Sequence, residues 1–385
     1  MVVSDITNPK FNAVHIETPE NRNTANEWHA LRSTWEYIYN SYIAKYDFFY
    51  LSDDDSYLIV ENLRFYLASN EVVNAGGGEG WPKPLYLGRR VFNDENTAQF
   101  NHGGPGYVLN RAALKLLVEK GFRRGSCRAR RYQQYTQDEA VGDCYSKISV
   151  FAHETRDVVM AHRFHVFTPQ QHAAETYGEL TTWFQSHGCH GKVCLSGWDS
   201  VSEQSISFHF VQPNLMKQIH ALLYNLCIPP DLLELASRVV EIHKASGRTW
   251  ARPVIPDFLT LGNHPFMGAL DVHGNGGYRH DEKALRLNPP AFAWEQMTYD
   301  ANNEKAICRV NWNPETSNYE ANSFQRTELG QEGYKLLTQQ VRVMKQQSDA
   351  SIKPTVFCAV YTISPNHFRI EPIRQTWGYV PFLLL

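Results

Sequence analysis

No apolar run in the sequence approaches the roughly 18–20 residues that a membrane-crossing helix needs, so no span is expected within it. Its opening, MVVSDITNPK, carries neither a basic leader nor a long apolar core, and no signal peptide is expected there. Asn-x-Ser/Thr sequons are also missing, so nothing in the chain as given points by itself to the secretory pathway. Excess charge of one sign is scarce: 37 basic against 40 acidic side chains leave a net charge of −3, which argues against nucleic acid or an anionic membrane surface as partner. Cysteine is too sparse for a disulfide scaffold, and the odd total of 7 leaves at least one thiol free or partnered elsewhere. Repeats, heptad tracts and low-complexity segments are absent. What is abundant is aromatic surface, at 13% of residues, enough either to fill a large core or to stack flat ligands such as bases and sugars. At 385 residues the chain can form one large or two medium domains.

The apolar spacing sorts the first half into alternating elements. Trp28, Leu31, Trp35, Ile38 and Tyr42 recur at steps of three and four and predict an amphipathic helix over 26–43. YDFFYL (46–51) reads as a short buried strand, and helical spacing returns over 57–68 through Ile59, Leu63 and Leu67. PLYLGRR (84–90) reads as another strand. GGPGYVLNRAALKLLVEKG (103–121) predicts a glycine turn, a strand, Asn110 as N-cap and Gly121 as helix stop. Alternation of this kind predicts an α/β fold with a largely parallel sheet. The aspartates Asp53, Asp54 and Asp55 then fall at the carboxyl end of a strand, where open α/β sheets bind ligands.

Three adjacent carboxylates repel one another unless something neutralises them. A solvated acidic turn at a helix N-terminus is one outcome. A divalent cation is the other, and hard oxygen ligands favour Mg²⁺ or Mn²⁺. A DxD after an apolar strand also suits an aspartyl-phosphate phosphatase, in which the first Asp attacks a phosphoryl group. That chemistry needs a downstream Lys and a second acidic pair in register, and it leaves GGPGYVL without a task. A nucleotide-sugar glycosyltransferase of GT-A type accounts for the strand, the acids and the glycines together.

The stretches YDFFYLSDDDSYLIVENLRFYL, LYLGRR, GGPGYVLNRAALK, DEAVGDC and ISFHFV follow one another in this order. The series resembles glycosyltransferase family 31, nearest its core 1 branch, the glycoprotein-N-acetylgalactosamine 3-beta-galactosyltransferases, over roughly residues 1–215. The resemblance implies a GT-A (Rossmann-like) fold and transfer of galactose from UDP-galactose to O-linked N-acetylgalactosamine on a glycoprotein, with inversion and with Mn²⁺ as cofactor. It implies Asp53, Asp55 and His209 as metal ligands, with Asp53 and Asp54 on the donor side. Asp138 is implied as general base, with Glu139 as the fallback. Gly103, Gly104 and Gly106 would let the backbone approach the donor sugar, with Tyr107 packed beside it. Trp183, Phe184 and Trp198 fall in the segment that shapes the acceptor side. Two disulfides, Cys127 with Cys144 and Cys189 with Cys194, would fit the Golgi lumen. A zinc site at Cys189 and Cys194 with His187 and His190 matches no common structural spacing.

Family members start with a membrane anchor, a stem and a strand–helix unit ending in RxTW, which forms part of the uridine site. Here TVFCAVYTISPNHFRIEPIRQTWG (355–378) resembles that unit at the opposite end of the chain. It predicts Thr362 and Arg374 on the donor side. Either the chain is a piece of a tandem array, or 355–362 docks beside residues 1–4 and fills the first strand's slot. The expected organisation is a transferase domain over 1–227, a stem or connector over 228–350, and the displaced unit over 351–385. DVHGNGGYRHDE offers Asp271, His273, His280 and Asp281, a set that reads as a glycine-rich loop. Ala30 stands where relatives tend to carry Lys, which leaves Arg32 as a substitute. Golgi membrane localisation and a homodimer are further expectations of the family. A non-catalytic partner of an active transferase stays open as the alternative.

Overall fold

The aromatic run before the three aspartates forms strand β3 (Phe48–Asp53), buried on both faces. Phe48 and Tyr50 enter one core and Phe49 and Leu51 the other, as alternation along a strand between two helical layers requires. In this computed structural model the described residues are 1–16, 24–92, 99–127, 136–173, 187–188, 195, 197–225, 333, 336–344 and 353–379. Around β3 lie β1 (Val2–Ser4), β2 (Ala13–His15), β5 (Tyr86–Gly88), β8 (Tyr107–Asn110) and β11 (Val356–Thr362), in the order β2-β1-β11-β3-β8-β5. Only β8 runs against the others, so the sheet is mixed α/β and mostly parallel. One face carries α2 (Val60–Leu67) and the helices Pro213–His220 and Ile370–Gln375. The other carries α1 (Thr24–Tyr42), α4 (Arg111–Leu116) and α5 (Gln137–Lys147), and α3 (Asn70–Ala75) follows α2.

The C-terminal strand occupies the centre of the sheet. Val356–Tyr361 pair in parallel with Phe48–Asp53, and Val360, Tyr361 and Thr362 pair with Val2, Val3 and Ser4. The pairing expected between 355–362 and the strand at residues 1–4 is therefore present. Closure entropy rises only logarithmically with loop length, so the intervening residues do not prevent it. Part of the expected connector joins the same core: Leu336, Leu337 and Val341 are buried there, and Asn62 binds the backbone of Arg342 and Met344.

Several local expectations need correction. Tyr57 and Leu58 form β4 (Tyr57–Leu58), paired with β10 (Ser207–Phe208), and the helix begins only at Val60. Beside β10 lies β9 (Phe164–His165), completing a small second sheet. PLYLGRR is two strands rather than one, because the chain leaves β5 at Arg89 and re-forms as β6 (Arg90–Phe92) against β7 (Gln99–Asn101). Asn110 caps α4 as expected, accepting from the Ala113 N–H at 2.9 Å. Gly121 does not stop the helix, which continues as wider turns to Arg123. A Cβ there would lie 2.8 Å from Cys144 Sγ, so the glycine makes room for a Cys127–Cys144 disulfide. Among the described residues no helix is long and apolar enough to cross a membrane.

Candidate active site

Three parallel strands end side by side, with Val3, Tyr361 and Asp53 in one row and Ser4 and Thr362 paired one position beyond it. The acidic triplet turns away from that row between β3 and β4. His209 follows β10 and meets it: His209 Nε2 lies 3.1 Å from Asp55 Oδ1, joining residues 154 positions apart. His209 Nδ1 is 3.1 Å from the Val166 carbonyl. A carbonyl can only accept, so Nδ1 carries the hydrogen and Nε2 is the nitrogen turned to the acid.

The charges are strongly coupled. Burial alone would raise Asp55, but the His209 hydrogen bond and the charges of His209 and Arg369 hold its carboxyl below the ordinary range. His209 is pushed the other way: burial disfavours its cation, yet the bond to Asp55 and the charges of Asp55 and Asp53 raise it. Asp53 is lifted to about 7, first by desolvation, with Asp55, Asp54 and Asp138 adding repulsion against the His209 attraction. One carboxyl of the triplet thus titrates near neutrality unless a further cation joins it.

The glycine turn packs directly on this cluster. A Cβ on Gly104 would stand 2.3 Å from the His209 ring, and one on Gly106, at φ +78°, would stand 2.4 Å from the Tyr50 hydroxyl. Both glycines therefore bring the backbone close to protein side chains. Tyr50 and Ser207 donate to the Pro105 carbonyl at 2.9 and 2.7 Å, and Ser56 donates to Gly104 O. Asp138 sits in the first turn of α5 and accepts from the Gly103 N–H at 2.7 Å, with Thr136 and Glu139 N on its other oxygen. Glu139 lies beside it in the same turn.

Other expected residues fall elsewhere. Tyr107 is a core residue that accepts from Trp35 Nε1 at 2.9 Å, because its position on β8 faces the α1 layer. Trp198 packs half-buried against the opposite core. Arg374 is exposed and donates to the Lys10 carbonyl at 3.0 Å. Arg32 pairs with Glu36 on its own helix. Trp183, Phe184, Cys189, Cys194, His190 and the set Asp271, His273, His280 and Asp281 lie outside the described residues.

The sequence reading missed Arg369. Its Nη1 is 2.7 Å from Asp54 Oδ1 and 3.6 Å from Asp55 Oδ2, while Thr362 Oγ1 donates to Asp54 Oδ2 at 2.6 Å. Trp377 Nε1 donates to the Ser56 carbonyl at 3.0 Å. His102 was also missed. Its ring centroid is 5.8 Å from that of His209, and burial keeps it neutral, at about 4.

A cation fits part of this arrangement. Donors 3.1 Å apart are spaced as neighbouring ligands around a hard cation with bonds of ~2.1 Å would be. The Val166 bond supplies the outer-shell support that ligating histidines use. Among the described residues no three His, Cys, Asp or Glu side chains are placed to hold a metal ion together, and Asp55 with His209 is a pair. An open set is what a cation shared with substrate phosphates calls for.

No protein-family model matches the chain. A curated protein of Xenopus laevis, glycoprotein-N-acetylgalactosamine 3-beta-galactosyltransferase 1, is 32% identical over 227 residues. Over that stretch the chain is similar to this galactosyltransferase. The match takes in 59% of this chain and 58% of that protein, so the shared part is little more than half of either. The mixed, mostly parallel sheet with an acidic cluster at its strand ends agrees with a GT-A fold.

Proposed function

We propose that the chain is a metal-dependent inverting glycosyltransferase. It would move a hexose, galactose first, from a UDP-sugar to an O-linked N-acetylgalactosamine-type acceptor on a glycoprotein. The observation that carries this reading is the convergence of Asp55 and His209 at the strand ends beside Asp53. Asp55 and His209 Nε2 would hold Mn²⁺, with Asp53 beside them, and the ion when bound would supply positive charge to the diphosphate leaving group. Asp138 takes the proton of the acceptor hydroxyl as that oxygen bonds to the anomeric carbon. The anomeric carbon–phosphate oxygen bond breaks on the opposite face, and UDP leaves with the electron pair. In the structure Asp138 is held by the Gly103 N–H, which fixes it beside the glycine turn. Gly104 and Gly106 keep that turn seated on His209 and Tyr50.

Residence in the Golgi lumen suits the Cys127–Cys144 disulfide, since such bonds persist in oxidising compartments. One observation favours the non-catalytic alternative: Asp54 and Asp55 are already balanced by Arg369 and His209. Turnover separates the two. Release of UDP from UDP-galactose onto an N-acetylgalactosamine-bearing peptide should require Mn²⁺. Asp55→Ala should lower it by about a hundredfold or more, the scale on which loss of a transition-state electrostatic partner is felt. A well-folded full chain without turnover under any divalent cation would leave the partner role.

A further inference from the structure

Arg369 reaches the acidic triplet from 315 positions away and uses only part of its guanidinium there. Asp54 is 4% exposed, and both of its oxygens are taken, one by Arg369 Nη1 and one by the Thr362 hydroxyl. Asp54 therefore serves the protein rather than a ligand. A guanidinium placed only to neutralise a carboxylate prefers the side-on arrangement, with two parallel N–H···O bonds. Arg369 instead offers one nitrogen to Asp54. Its Nε is buried without a hydrogen-bond partner, and its Nη2 makes no hydrogen bond within the described residues. A buried donor left unsatisfied costs about 1–3 kcal/mol, so this edge, unpaired among the described residues, calls for a further acceptor. Through Nη1 the same guanidinium also lies 3.6 Å from Asp55, which pairs with His209, so the group stands against the acidic cluster. A planar edge carrying two N–H groups matches a phosphate better than a single hydroxyl or carbonyl.

We infer that Arg369 binds the diphosphate of the donor through its Nε and Nη2 edge, and that Asp54 and Thr362 position it. The inference rests on reading the cleft as a UDP-sugar site. It makes the segment after β11 part of the ligand shell and gives the middle aspartate of the triplet a task separate from that of Asp53 and Asp55. Titrations of UDP, uridine and inorganic pyrophosphate into the full chain with Mn²⁺ present, followed by calorimetry and ligand NMR, test it. Arg369→Met should weaken UDP and pyrophosphate about ten- to a hundredfold, the scale of a charge-assisted hydrogen bond, and leave uridine unchanged. Arg369→Lys, with the charge but no fork, should fall between Met and wild type. Asp54→Asn should lower the UDP-to-uridine affinity ratio without abolishing binding. Thermal melts confirm folding, and if Arg369→Met does not fold, the Lys and Asn variants decide. UDP affinity unchanged in the variants, or lost in step with uridine, would overturn the inference. Pyrophosphate bound in an Arg369-dependent way, with UDP no tighter, would leave the anion contact standing and remove the nucleotide-sugar reading.

Discussion

The two ends of the described chain lie next to each other and do different work. Residues 353–379 supply the central strand, six residues in register with β3, and send Thr362 and Arg369 to the acidic triplet and Trp377 to Ser56 beside it. Residues 1–16 supply two three-residue strands at the sheet's rim. Their polar groups support the other end. Asp5 accepts from the Ser364 N–H at 2.7 Å, and His367 is fixed between Ser4 at 2.8 Å and Asn8 at 3.0 Å. One end builds the cleft and the other braces the builder. Position in the sheet, not in the sequence, decides what a segment contributes.

Truncation breaks this comparison most directly. Removing 353–379 exposes Phe357, Ala359, Val360, Ile370, Ile373 and Trp377 and leaves β3 with an open edge. At about 1.5–3 kcal/mol for each large side chain, the loss is comparable with the whole stability of a domain, about 5–15 kcal/mol. A thermal melt followed by circular dichroism should show no cooperative transition. Removing 1–16 should lower the midpoint but preserve one. Equal melts for the two truncations would contradict the division of labour.

A second expectation concerns acid. His165 and His172 are buried, their rings 4.8 Å apart, with His165 stacked on Phe208. Burial keeps both neutral, His172 down to about 3 and His165 well below 6.5. Unfolded, they bind protons as pH falls through about 6.5, while the folded forms do not. Their contribution is therefore complete above that pH and lost progressively below it, for His172 down to about 3. His209 acts in the opposite sense, because its folded value is raised: its pairing adds stability below about 6.5 that fades as pH rises. Denaturant titrations at pH 7 and pH 5 should show a net fall in acid. Replacing His172 by Gln should flatten it.

The smallest effect should come from Trp377→Phe. It removes the donor to the buried Ser56 carbonyl and should cost about 1–3 kcal/mol by chemical denaturation. Less than half a kcal/mol would mean that the contact does not brace the triplet loop.

Much of this was legible where local pattern and tertiary role coincide. The aromatic run of β3 is continuous because helices cover both of its faces, and Asn110 caps α4 through its own backbone neighbourhood. Legibility failed where a distant partner decides. Helical spacing starts before Val60, but the backbone of Tyr57 and Leu58 is taken by β10. Arg374 matched a motif, whereas Arg369, five residues earlier, is the one that the fold aims at Asp54. Nothing local marks Tyr107 as core, since Trp35, which bonds to it, is 72 positions away.

The central claim is that Asp55 and His209 form the protein's half of a divalent-cation site completed by a nucleotide diphosphate. Electron paramagnetic resonance of Mn²⁺ tests it without relying on turnover, because the sharp signal of the free ion disappears on binding. Titrating the full chain with Mn²⁺ in the presence and absence of UDP should show one bound ion, tighter with UDP, and its loss in Asp55→Ala and His209→Ala. Uptake by wild type that neither substitution weakens, or no uptake beyond that of UDP alone, would contradict the account.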